Sequence, residues 1–281
     1  MELSTVMAAE QHDFQQTSDT VPANLTALAK TKFKRITAVE CPFEDVRGLR
    51  VIANQLWSCQ YQSIKIYDKN LKHIRTLQNE EWGYVNDVAL MPYGGFVIAC
   101  GTRLLYIDDA GYLINEIDSG DFTSIDIYKG TLFASETETI RSYIYSGNGW
   151  VEQGIIELPR TGFYTISVQY ETITVCNSHS STIDVLSMAG QHLHSYGHEG
   201  TECAGELQRP LLCQEDREGA LLVADYENSR LQILDKHLDK WSIVDMEPKL
   251  KYPKRVVYVD DTLCVESGDL SNYKICKYIA K

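Results

Sequence analysis

The chain has 281 residues, 44% of them hydrophobic and 23% charged, and its 39 acids against 26 bases give a formal net charge of −13. This balance excludes a disordered or collagen-like chain, and the acidity argues against whole-surface attraction to nucleic acid or anionic lipid. No apolar run approaches the ~20 residues that a membrane-spanning helix needs, and the chain is long enough to bury a core without disulfide staples.

Residues 1–30 read as an N-terminal arm. Leu3, Val6, Met7, Glu10 and Phe14 fall near helical spacing, and a polar run follows to Pro22. A short helix and a flexible arm both fit that pattern. A basic start followed by an apolar stretch is lacking, so no secretion signal is expected. The eight cysteines form no C-x-x-C pair, which argues against a zinc ribbon or a redox motif. Cys59, Cys100, Cys176 and Cys264 lie inside apolar runs, where cysteine behaves as a small hydrophobe. The expectation is a cytoplasmic protein with reduced cysteines.

From residue 31 onward the chain repeats itself. A strand is predicted at 34–40, and then one unit recurs: an apolar strand, a tight turn, a second strand, a polar loop and a third strand. The second strands open with Leu56-Trp57-Ser58, Phe96-Val97-Ile98, Leu132-Phe133-Ala134, Ile173-Thr174-Val175, Leu221-Leu222-Val223 and Leu263-Cys264-Val265. Asn54, Gly94-Gly95, Gly130, Gly219 and Asp260-Asp261 supply the turns before them, being residue types that tolerate positive φ or tight bends. Fourth strands are predicted at 73–77, 112–117, 151–158, 192–196 and 241–244. The sixth unit lacks one, and the spare copy lies at 34–40. Closing a ring with that strand removes the exposed edge that would otherwise template aggregation. The predicted fold is therefore all β, a six-bladed β-propeller over residues 31–281 closed by its N-terminal strand. An open β-solenoid is the alternative, and it explains neither the missing strand nor its spare copy.

The fifth unit carries the sharpest motif. A glycine-rich opening, Tyr196-Gly197-His198-Glu199-Gly200, precedes Pro210, and the hairpin Val223-Ala224-Asp225-Tyr226-Glu227-Asn228-Ser229-Arg230-Leu231-Gln232-Ile233 follows. This unit resembles an NHL repeat, with Pro210, Asp225, Asn228 and Arg230 at the signature positions. Asp and Asn suit the turn because their short side chains cap local amides, and Arg230 is placed to reach back to Asp225 as a structural pair. Elsewhere the signature is degenerate: Asn177 holds the Asp position in the fourth unit, and Gly101-Thr102-Arg103 shortens the loop in the second. The resemblance implies a propeller like those that end tripartite-motif ubiquitin ligases, where NHL domains recruit protein substrates or RNA. RING and B-box zinc patterns are absent from this sequence.

Six-bladed propellers also include metal-dependent lactonases and an amidating lyase, whose ligands surround a central channel. Asn86-Asp87 echoes a lactonase step, but no matching Glu or second Asn-Asp step is found, and Asp87 reads as a cap at the start of a strand. His73, His179, His192, His194 and His198 are scattered over predicted loops and outer strands. Neither a nucleophile elbow nor a phosphate-binding loop occurs. The expectation is a protein without catalysis, metal or cofactor, and a metal-dependent channel enzyme is the rival reading.

The expected role is a protein-interaction module, substrate-recruiting or scaffold, that presents one face of a rigid ring. Rim loops are free to carry recognition, and binding hot spots favour Trp, Tyr and Arg. The candidates are Trp82, Tyr84, Arg160, Phe163, Tyr164, Arg209 and Tyr252 in loops between units, with Tyr61 and Tyr226 inside hairpins. Charge is uneven: residues 30–76 carry ten bases and four acids, 246–281 seven and five, and 77–245 nine and 26. Ring closure would gather Lys65, Lys69, Lys72 and Arg75 with Lys249, Lys251, Lys254 and Arg255 into one basic sector. That sector keeps RNA open as a second partner.

Overall fold

Within each unit, alternating apolar residues and turns that demand positive φ produce a four-stranded antiparallel sheet. The computed structural model describes residues 25–40, 46–160, 162, 164–216, 218–237, 239–269 and 272–281. Blade 1 is built from Gly48–Ile52, Gln55–Gln60, Ser63–Tyr67 and His73–Gln78, and blade 2 from Val85–Leu90, Phe96–Cys100, Arg103–Ile107 and Leu113–Ser119. Blade 3 comprises Ser124–Tyr128, Thr131–Ser135, Thr139–Tyr145 and Trp150–Glu157, and blade 4 Tyr164–Gln169, Thr172–Asn177, Thr182–Ser187 and His192–Tyr196. Blade 5 takes Pro210–Glu215, Leu221–Asp225, Arg230–Asp235 and Lys240–Ile243, and blade 6 Arg255–Val259, Thr262–Asp269 and Asn272–Ala280. The molecule is a six-bladed β-propeller.

The ring closes through the N-terminal strand. Lys32–Glu40 runs antiparallel to Asn272–Ala280, with Phe33 opposite Ala280 and Val39 opposite Ile275. Asp245–Glu247 then adds a short parallel strand outside it, Lys32 opposite Asp245. A solenoid would pair only neighbouring units; this pairing joins the first and last strands of the described residues.

Turns follow their chemistry. Asn54, Gly94, Gly95, Gly130, Gly219, Asp260 and Asp261 all have positive φ. At Gly95 a side chain is excluded twice over, by its φ of +69° and by the carbonyl oxygen of Ile107, 2.5 Å from where a Cβ would sit. Blade 4 makes the same turn with Tyr170 and Glu171, at φ of 51° and 59°, residue types that carry no turn signal in the sequence.

Both faces of each sheet are apolar because each blade packs against two neighbours. Apolar clusters fill all six blade interfaces: Trp57 and Ile64 meet Val88 and Ile98 between blades 1 and 2, and Val257 and Ile275 meet Leu49 and Leu56 between blades 6 and 1. Each such side chain contributes about 1.5–3 kcal/mol when fully buried. Among the described residues the apolar packing begins at Leu25, ahead of the predicted boundary at 31. Thr26–Lys30 is a 3-10 turn, and Leu25 and Leu28 are buried with Leu222, Leu231 and Val244. The Leu25 N–H donates to the buried carboxylate of Asp216. The rest of the predicted arm, residues 1–24, lies outside the described residues.

Candidate functional site

Antiparallel order puts the loops between blades, and the turns between second and third strands, on one rim of the ring. Tyr61 lies in such a turn of blade 1 and Tyr84 in the loop to blade 2. Their rings meet edge to face at 4.9 Å, both nearly half exposed, and the Arg47 guanidinium covers Tyr84 at 4.5 Å. Across blades 5 and 6 the pattern recurs. Tyr226 lies 5.5 Å from exposed Tyr252, Arg209 sits over Tyr226 at 5.7 Å, and Arg209 also pairs with Glu227 at 3.4 Å. The Tyr226 hydroxyl lies 3.3 Å from that of Tyr273, whose ring Lys254 covers at 4.0 Å. Five tyrosines, each in contact with a cation or another tyrosine, thus form an arc over blades 5, 6 and 1. A cation above an aromatic face is attracted by its quadrupole, by about 0.5–1 kcal/mol at exposed sites.

Two predicted rim residues belong elsewhere. Trp82 is 2% exposed and packs with Ile64, Leu77 and Val85 between blades 1 and 2. Tyr164 is 1% exposed among Phe133, Ile140 and Ile166, and its hydroxyl accepts a hydrogen bond from Asn177 Nδ2 at 3.1 Å. Both are large aromatics drawn inward by the gap between sheets. Arg160 is exposed on the loop to blade 4, outside the tyrosine arc, and Phe163 lies outside the described residues. Arg47 and Tyr273 are members of the arc that sequence reasoning missed. Their only sequence signal is position, beside the loops that ring closure brings together.

The basic residues do not make one patch. Lys249, Lys251 and Lys254 lie at the tyrosine-bearing rim, whereas Lys69 and Lys72 occupy a turn on the opposite rim. Lys65 is mid-strand, and Arg75 on the outer strand of blade 1 donates to the Asp109 carbonyl of blade 2. Arg255 turns inward, its Nε donating to the Arg47 carbonyl at 2.6 Å. Antiparallel strands send successive turns to opposite ends, which divides a sequence cluster between two faces.

The NHL-like positions of blade 5 are a buried polar knot. The Asp225 carboxylate, 0% exposed, accepts from Arg230 Nε at 2.8 Å, Asn228 Nδ2 at 2.9 Å, Gln232 Nε2 at 2.9 Å and the Gln208 N–H at 2.8 Å. Arg230 Nη2 also donates to the carbonyls of Cys203 and Glu206. Pro210 opens the inner strand of this blade, buried opposite Asp225. These residues hold a hairpin and the loop before it; their polar atoms face inward.

Around the central channel the innermost strands are tied by side chains. Arg50 of blade 1 grips Asp87 of blade 2, Nε to Oδ1 at 2.8 Å and Nη2 to Oδ2 at 2.6 Å. Asp87 also accepts from the Ser124 hydroxyl and the Ile125 N–H of blade 3, both at 3.0 Å. Asp126 of blade 3 accepts the Val168 N–H of blade 4 at 2.7 Å, and Gln214 of blade 5 accepts the Tyr258 N–H of blade 6 at 2.6 Å. Glu215 binds Lys236 at 2.6 Å and Thr174 of blade 4 at 3.3 Å. Burial alone would raise the Asp87 pKa, but the Arg50 guanidinium, with the Ile125 N–H and Arg255, outweighs it and holds the carboxylate below the ordinary range. Burial pushes the Asp126 carboxyl up and the Cys59 thiol well up. Asp87, the one echo of a lactonase step, is thus an inter-blade clamp. His73, His179, His192, His194 and His198 are all exposed, and among the described residues no three His, Cys, Asp or Glu converge as a metal site.

No protein-family model matches the chain, and no curated protein matches its sequence. Its backbone is similar to several solved structures. An auxiliary nutrient binding protein from Bacteroides thetaiotaomicron is 11% identical, with a TM-score of 0.66 over 93% of this chain and 76% of that one. The WD40 β-propeller domain of Doa1 is 12% identical, with a TM-score of 0.62 over 87% and 96%. A catalytically inactive virginiamycin B lyase from Staphylococcus aureus, with quinupristin, is 11% identical, with a TM-score of 0.60 over 88% and 99%. At these identities the likeness shows the fold alone.

Proposed function

We propose that this propeller is a non-catalytic, cytoplasmic interaction module that recruits a protein partner through its tyrosine-rich rim. The observation that carries this reading is the arc of Tyr61, Tyr84, Tyr226, Tyr252 and Tyr273, held in place by Arg47, Arg209 and Lys254. Tyrosine offers large contact area at small entropic cost, and cations stacked on it are ordered before a partner arrives. The ring behind it is rigid, because each blade is packed on two sides. The channel supports the absence of catalysis in its own way: most of its polar side chains are engaged in tying blades together. The NHL-like knot of blade 5 supports the finer reading, a substrate-recruiting or scaffold propeller like those of tripartite-motif ligases. With its basic residues divided between two rims, the protein offers a polyanion no continuous surface, which favours a protein over RNA.

The test is affinity capture with nuclease treatment, comparing the wild-type chain with the double variant Tyr84→Ala/Tyr252→Ala. Nuclease-resistant proteins retained by the wild type and lost by the folded variant support the rim. Recovery that disappears with nuclease, or that ignores both substitutions, overturns the reading.

A further inference from the structure

The channel along the ring axis encloses a cavity of about 390 Å³, within the ~300–1,000 Å³ of small-molecule sites. Of its apolar lining, Ala89, Leu90 and Ile127 keep accessible surface, whereas Val51, Val88, Ile125, Ile166, Val168 and Val257 are packed into the clusters between blades. No residue of the tyrosine arc lines this space.

Charged groups also line the channel, and most are satisfied by the protein. Asp87 is engaged by Arg50, Ser124 and two backbone N–H groups, and Glu215 by Lys236 and Thr174. Arg255, which donates Nε to the Arg47 carbonyl, lines the cavity with a buried Nη1 that makes no hydrogen bond to the described residues, and two further groups, Arg50 and Asp126, keep capacity toward the cavity. Arg50 directs Nε and Nη2 to Asp87 and the Ile125 carbonyl. Its Nη1 makes no hydrogen bond to the described residues, nor is that atom sealed from solvent, and the side chain is 28% exposed. Asp126 accepts only backbone N–H groups, from Ile127 at 2.8 Å and Val168 at 2.7 Å, and has no ion-pair partner among the described residues. A carboxylate accepts roughly four hydrogen bonds, so both oxygens retain lone pairs. Arg50 and Asp126 are near enough to bias one another's ionisation.

We propose that the channel binds a free α-amino acid with an aliphatic side chain, its carboxylate on Arg50 Nη1, its ammonium on Asp126 and its side chain against Ala89, Leu90 and Ile127. An anion alone would face the Asp126 charge, and a cation alone would face Arg50. A zwitterion with both charges on one carbon answers a neighbouring guanidinium and carboxylate together. The ammonium also relieves the cost of an ionised, half-buried Asp126. Arg50 is clamped by Asp87 and Asp126 by two backbone amides, so little ordering remains when the ligand enters.

Isothermal titration calorimetry on the full chain tests this with L-leucine, N-acetyl-L-leucine and L-leucinamide as probes. L-Leucine is expected to bind, and each analogue, lacking one charge, to bind roughly tenfold more weakly or worse, as for a lost hydrogen bond to a charged group. Asp126→Asn should weaken L-leucine by a similar factor and leave N-acetyl-L-leucine equally or more tightly bound, because the charge facing its carboxylate is gone, with a thermal melt confirming that the variant is folded. The proposal fails if the wild-type chain gives neither heat nor thermal shift with millimolar leucine, isoleucine or methionine. Equal affinities for the three probes overturn it, as does an Asp126→Asn variant that binds leucine like the wild type.

Discussion

Arg50 and Asp87, on the inner strands of adjacent blades, meet through two parallel hydrogen bonds of 2.8 and 2.6 Å. The inner strands of a propeller do not pair with each other, so nothing in the backbone fixes their spacing. This ion pair, and the bonds from Asp87 to blade 3, do so for three blades at once.

Removing Asp87 leaves a largely buried guanidinium and the Ile125 N–H without their acceptor. Asp87→Ala is expected to destabilise the fold by about 3 kcal/mol, as for a buried pair broken on one side. Urea denaturation of the variant beside the wild type measures it; a loss below 1 kcal/mol would mean that the clamp is dispensable.

The two channel carboxylates should respond oppositely to pH. The Asp87 pKa is depressed on folding, so its contribution is present above the ordinary Asp value and fades as pH falls through the folded pKa. The Asp126 pKa is raised, so the native state holds that proton more tightly and stability declines as pH rises from the ordinary value through the folded one. Asp126→Asn should therefore gain on the wild type as pH rises above the ordinary Asp value of about 4. Thermal melts across that range read the difference, and a constant gap would contradict it.

Truncation separates the closing strand from the turn before it. Deleting residues 1–40 removes Lys32–Glu40 and uncovers the edge of Asn272–Ala280; aggregation in sizing chromatography is the expected result. With the strand left intact, Leu25→Ala and Leu28→Ala should each cost about 2–5 kcal/mol, because both side chains are buried against blade 5. Melting temperatures equal to the wild type would place them outside the core.

Asp225→Ala tests the blade 5 knot. Its carboxylate answers Arg230, Asn228, Gln232 and the Gln208 N–H. The cost is therefore expected near 3 kcal/mol, well above the roughly 1 kcal/mol of a single turn hydrogen bond. Partner capture should survive at temperatures where the variant is folded.

The aromatic rim and the aromatic core should separate cleanly. Trp82→Ala is expected to lose about 3–5 kcal/mol of stability through its buried site. Tyr84→Ala and Tyr252→Ala, both at exposed positions, should leave the melting temperature nearly unchanged and weaken partner capture. A destabilised Tyr84→Ala that binds normally would reverse the assignment.

The repeat, the strand order and the closing strand were legible in the sequence because they rest on local physics. Apolar alternation sets which residues form strands, turn residues set where they reverse, and a missing strand at one end matched a spare at the other. The Asp225–Arg230 pair was legible for the same reason, lying five residues apart on one hairpin. What the tertiary structure decided were relations between blades. Trp82 and Tyr84 stand two residues apart in one loop with the same hot-spot chemistry, yet one fills the gap between sheets and the other lies on the rim. Lys69 and Lys254 share a sector by sequence, and antiparallel geometry sends them to opposite ends. Arg50 meets Asp87 across 37 residues, and only the closed ring, which brings six inner strands around one axis, sets the distance and burial that make them a clamp and leave Asp126 facing the channel.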